Sequence, residues 1–98
     1  MVINMAQAAR VKKISPEVML LLNLGEVVRK RRLALNLSQE ELAGRAGVHR
    51  TYLSDIERGA RNITITVLNR LADALEVKVS RLFRLTEQHK TTKPRRAK

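Results

Sequence analysis

Residues 38 to 59 constrain the fold more than any other part of this chain. Ser38-Gln39-Glu40-Glu41 is a capping box: the serine hydroxyl can accept from the amide three residues on, and the glutamate there can reach back. Leu42, Ala43 and Ala46 then make a short apolar stripe, and Gly47 supplies the positive φ that a tight turn needs. Val48 opens the turn, Leu53 and Ile56 mark another helix, and Gly59 closes it. The spacing predicts two short helices, about 38–46 and 49–58, joined by a glycine-containing turn, which is a helix-turn-helix. Ala43 has to be small because the helices cross there. Val48, Leu53 and Ile56 pin the second helix to a core, leaving His49, Arg50, Thr51, Ser54, Asp55 and Arg58 facing outward. A helix so presented suits the major groove of duplex DNA, with its first residues at the base edges.

The flanks also read as helix. Ser15-Pro16-Glu17 combines a capping hydroxyl, a proline at the first helical position and an early acid. Leu24, Val28 and Leu35 continue at helical spacing, with Gly25 leaving open whether this is one helix or two, and Asn36 suits a left-handed end. Thr64 can cap a further helix with an inner face of Val67, Leu68, Leu71, Ala72 and Leu75, and Val79, Leu82 and Phe83 fit a last short one. No strand-like alternation is long enough to compete. The expected organisation is an all-α, five-helix DNA-binding domain over 24–85, preceded by a partly helical extension over 1–23. A basic, disordered tail over 86–98 would follow, either solubilising the chain or touching phosphates.

Charge narrows the partner. The 98 residues carry 20 Lys and Arg against 9 Asp and Glu, a net charge of +11, which favours a polyanion. A membrane fits poorly, because the longest apolar run, Val18 to Leu22, is far short of a spanning helix. The basic residues near the N-terminus follow the apolar stretch, the reverse of a secretory signal, so a cytoplasmic protein is expected. One Tyr and one Phe cannot build the stacking platform of a single-strand binder. With no Cys and two isolated His, no metal site is expected, and no nucleophile–base constellation suggests an enzyme or a cofactor.

The stretch Leu24–Phe83 resembles the helix-turn-helix domain of lambdoid phage repressors and Cro proteins, and of the xenobiotic-response-element-like bacterial regulators. The matching residues are Ser38-Gln39-Glu40-Glu41-Leu42-Ala43, Ala46-Gly47-Val48, Tyr52-Leu53-Ser54-Asp55-Ile56-Glu57-Arg58-Gly59, and downstream Leu68, Leu71-Ala72 and Ala74-Leu75. Arg50 to Ser54, Glu57-Arg58 and Arg61-Asn62 are further similar to controller proteins of restriction–modification systems. The resemblance implies a lambda-repressor-like fold whose third helix enters the major groove. It implies base contacts from Arg50, Thr51, Ser54, Asp55 and Arg58, and phosphate contacts from Gln39, Arg61, Asn62 and Thr64. His49 and Tyr52, by their placement, are expected near phosphates as well. Asp55, an acid that phosphates repel, either accepts from a cytosine amine or orients Arg58 or Arg50. Ile63 stands where proline is frequent, and Glu76 and Lys78 stand where glycine and a capping serine are usual.

Two features are structural. Arg32 falls on the stripe of Leu24 and Val28, and Glu57 on the stripe of Leu53. A lone buried charge is very costly, so two opposite ones on facing stripes are expected to pair, as the resemblance also implies. One recognition helix reads too few base pairs to find a site in a genome, so a symmetric homodimer on a near-palindromic operator is expected. Val79, Leu82 and Leu85 are the first candidates for its surface, and Pro16–Leu24 the second. The leading function is a transcription regulator. The alternative is an antitoxin that also binds a toxin partner.

Overall fold

The computed structural model describes residues 14–89; residues 1–13 and 90–98, with most of the expected extension and tail, lie outside them. Five α-helices follow in order: α1 (Pro16–Ala34), α2 (Gln39–Ala46), α3 (Arg50–Glu57), α4 (Ile65–Ala74) and α5 (Val79–Gln88). The described residues hold no strand. The Ser15 hydroxyl accepts from Val18 N at α1, with Pro16 at the first position. Both halves of the capping box are made at α2, Ser38 Oγ with Glu41 N and Glu41 Oε1 with Ser38 N. Thr64 Oγ1 accepts from Val67 N at α4. α3 and α5 begin at His49 and Lys78 without a side-chain cap.

The first four helices end in the same way. In each, a residue one or two positions past the helix takes a left-handed conformation: Asn36 at φ 60°, Gly47 at 72°, Gly59 at 74° and Glu76 at 63°. Its N–H and that of the next residue turn back onto the last carbonyls. At Gly47 these bonds are Gly47 N to Gly44 O at 3.3 Å and Val48 N to Ala43 O at 3.0 Å, the pair that defines a Schellman ending. Leu37, Ala60 and Val77 donate equivalently to Arg32, Asp55 and Ala72. Asn36, Gly47 and Gly59 suit the position, whereas Glu76 bears a Cβ in a region that disfavours it.

Gly25 does not break α1, which runs unbroken across the expected 23/24 boundary. It is buried because α1 crosses the C-terminal end of α3 there. A Cβ on Gly25 would lie 2.6 Å from the Glu57 carbonyl oxygen and closer still to that of Ile56. At the other end of the chain, α5 runs on to Gln88. Thr86, expected in the tail, is buried with its hydroxyl donating to Leu82 O at 2.8 Å.

α1 packs against α3 and α5, α2 against α3 and α4, and α4 against α5. The core they enclose includes Leu24, Val28, Leu42, Ala43, Leu53, Ile56, Leu68, Leu71, Ala72, Leu75 and Leu82. Each fully buried Leu contributes about 1.5–3 kcal/mol of transfer free energy. Arg31 adds a polar tie, donating Nε to the Leu75 carbonyl at 2.9 Å at the end of α4.

Candidate nucleic-acid interface

α2 and α3 lock together through apolar contacts and a polar chain. Ala43, Leu53 and Ile56 are at most 3% exposed, so the inner faces of both helices are fixed and the outer face of α3 is set by elimination. Arg32 and Glu57, each 8% exposed, are bidentate: Nε to Oε2 at 2.7 Å and Nη2 to Oε1 at 3.0 Å. Arg32 Nη1 also donates to Leu37 O at 2.9 Å. The hydrogen bond to Glu57 raises the Arg32 pKa above its ordinary value, against the opposing effect of burial.

The chain continues outward. Gln39 Nε2 donates to Glu57 Oε1 at 3.0 Å, and Gln39 Oε1 accepts from Arg50 Nη1 at 3.2 Å. The Glu57 carboxylate can only accept, so it fixes which end of the Gln39 amide points inward and leaves the oxygen to hold Arg50. No sequence periodicity signals this, since Gln39, Arg50 and Glu57 meet across two helices.

The α3 face carries His49, Arg50 and Thr51 exposed at its start and Arg58 exposed at its end, with Ser54 and Asp55 half-buried between them. Arg58 donates to Ser54 Oγ at 2.8 Å and to Asp55 Oδ1. Arg61 donates to Asp55 Oδ2 at 3.3 Å and lies 4.7 Å above the Tyr52 ring centroid, within cation–π range. Asn62 is exposed in the same loop, and Thr64 spends its oxygen on capping α4. The structure thus brings Gln39 and Arg50 together, and Tyr52, Asp55, Arg58 and Arg61 together. The sequence offered the orientation of Arg58 or Arg50 as one role for Asp55, and the structure pairs Asp55 with Arg58; the links of Gln39 to Arg50 and of Arg61 to Asp55 and Tyr52 were missed.

Of the residues assigned to a dimer surface, Leu82 is corrected: it is 0% exposed and fills the protomer's own core. Val79 and Leu85 are half-buried beside it, and the apolar side chain that α5 does expose is Phe83. On α1, Val18, Leu20 and Leu22 are exposed. Among the described residues, no group of His, Cys, Asp or Glu could hold a metal ion, and no helix is long and apolar enough to cross a membrane.

Five helices with a capped helix-turn-helix at their centre define a protein of the lambda-repressor-like kind. The helix-turn-helix family profile matches residues 28–82, and the chain belongs to that family. Restriction–modification control proteins are among its relatives. The chain is 49% identical over 60 residues to the control protein C.SmaI of Serratia marcescens, covering 61% of this chain and 71% of that one. It superimposes on the controller protein C.AhdI from Aeromonas hydrophila with a TM-score of 0.62 and 39% identity, over 63% of this chain and 94% of the other. The controller protein C.Esp1396I, solved as a tetramer with its natural 35 base-pair operator, matches with a TM-score of 0.66 and 38% identity, over 70% and 91%.

Proposed function

We propose that this protein is a sequence-specific, duplex-DNA-binding transcription regulator of the control-protein type, acting as a homodimer on a near-palindromic operator. One observation carries it: Arg50 and Thr51 stand exposed in the first turn of a helix whose opposite face is locked into the core. That helix can enter the major groove, where Arg50 suits the O6 and N7 of a guanine. Thr51, Ser54 and Arg58 follow along the base edges, and Asp55 orients its arginine neighbours. Gln39, His49, Tyr52, Arg61, Asn62 and the Thr64 backbone flank the groove at the phosphates. C.Esp1396I, similar to this chain over 70% of its length, is bound to operator DNA, which supports the same use here. Such a regulator works in the cytoplasm beside the DNA, and needs no cofactor.

For the dimer, half-buried Val79 and exposed Phe83, one turn apart on α5, offer an apolar patch remote in sequence from α3, with half-buried Leu85 on the other side of Leu82. The antitoxin alternative draws no support from these relatives, which are control proteins.

The test is selection of duplexes from a random-sequence pool by the wild-type protein, with sedimentation at micromolar concentration. The expected product is a pair of two-fold-related half-sites about 34–36 Å apart, bound by a protein that sediments as a dimer. Recovery of no preferred sequence would overturn the regulator. A monomer bound to single half-sites would overturn the dimer alone.

A further inference from the structure

An acid on a face meant for phosphates needs a reason. Asp55 is the one acidic side chain among the residues placed at the DNA, and two arginines cover it. Its side chain is 21% exposed, beneath Arg58 at 62% and Arg61 at 48%. The two carboxylate oxygens are shared out, Oδ1 to Arg58 and Oδ2 to Arg61. Each arginine has a second, non-acidic hold: Ser54 Oγ for Arg58 and the Tyr52 ring for Arg61. Arg58 caps the C-terminal end of α3, and Arg61 lies in the loop leading to α4. The same Asp55 also closes the turn between them, its carbonyl accepting from Ala60 N at 2.9 Å.

We infer that Asp55 is a specificity-determining positioning residue: it gives up part of the charge attraction for DNA in order to fix two guanidinium groups at a set separation. This rests on the operator-binding function proposed above. Generic attraction scales with the phosphate charge neutralised, and is indifferent to where each guanidinium sits. Asp55 offsets one of the two positive charges, so it weakens binding to any duplex. A matched site instead rewards side chains already held in the bound geometry, because fewer rotamers have to be frozen on binding. The carboxylate therefore moves the protein's preference away from bulk DNA and towards the operator.

The test uses Asp55→Asn in the full chain, with two duplex probes: the sequence recovered by the wild type from a random pool, and a scrambled duplex of equal length and composition. Asparagine keeps the size, loses the charge and can accept through one oxygen only. The inference expects weaker binding to the recovered duplex and equal or tighter binding to the scrambled one, so that their ratio falls at least tenfold. Repeating the selection with Asp55→Asn should relax base preference at the edge of each half-site. An unchanged ratio, or equal weakening on both probes, overturns the inference and leaves the regulator standing. A wild type that recovers no preferred duplex removes the function beneath it. Unfolding midpoints of both proteins should agree; if the variant is less stable, Arg58→Lys with Arg61→Lys, which keeps charge and loses the shared fork, must lower the ratio in the same way.

Discussion

Gln39 donates its side-chain amide to the Oε1 of Glu57 at 3.0 Å, the same oxygen that accepts from Arg32 Nη2. The buried ion pair is therefore continuous with the surface at which α2 and α3 meet. Truncating one partner strands the other charge, so Glu57→Ala should cost about 3–5 kcal/mol in urea unfolding. The double variant Arg32→Met/Glu57→Leu removes both charges. It should lose only about 1–3 kcal/mol, for the Leu37 carbonyl left unpaired. It should still bind DNA more weakly than its stability accounts for, because Gln39 and Arg50 are released. Equal, small losses in both variants would show that the pair is solvated.

Two glycines inside helices should respond with opposite signs to the same change. Gly25→Ala brings a Cβ against the Ile56 and Glu57 carbonyls, which are backbone and cannot swing away. Overpacking of this kind typically costs about 1–3 kcal/mol, outweighing alanine's helix propensity. Gly44, in α2, has nothing within 4 Å of its would-be Cβ, so Gly44→Ala should stabilise by about 0.5–1 kcal/mol. Thermal unfolding of both variants separates the two effects.

Among the described residues, Glu76 occupies the one left-handed helix end that carries neither Gly nor Asn. Its contact with Arg45, at 4.0 Å between two exposed side chains, contributes little. Glu76→Gly should therefore raise stability by about 0.5–1 kcal/mol, the relief of strain partly offset by glycine's greater freedom when unfolded. A loss of stability would mean that the Glu76 side chain makes a favourable interaction larger than its strain.

Most of the fold was legible because its signals are local. Ser15, Ser38 and Thr64 cap the helices they precede, and Asn36, Gly47 and Gly59 end those they follow, within a few residues of chain. What could not be read is what joins distant segments. Gly25 left one helix or two open because its reason for being glycine lies 31 and 32 residues away, at Ile56 and Glu57. Leu82 looked like surface because helical spacing shows that α5 has an apolar face, and not how much of that face α1 and α4 cover. Arg32 and Glu57 could be matched from opposite charge on two buried stripes, whereas Gln39's place between Glu57 and Arg50 depends on how α2 crosses α3. Residues at the DNA face could be named from their position on one helix, and an arginine held by Asp55 could be expected because an acid there needs a partner; that Arg61 joins it over Tyr52 depends on the path of the following loop and could not be read.

The placement of α3 in the major groove is tested most directly by dimethyl sulphate protection of guanine N7 on the selected duplex. The wild type should protect guanines in two half-sites one helical turn apart. Arg50→Ala should lose about 1–3 kcal/mol of affinity and lift protection at one guanine in each half-site, leaving the others covered. Protection absent from the major groove, or unchanged by Arg50→Ala, would contradict the assignment of α3 as the recognition helix.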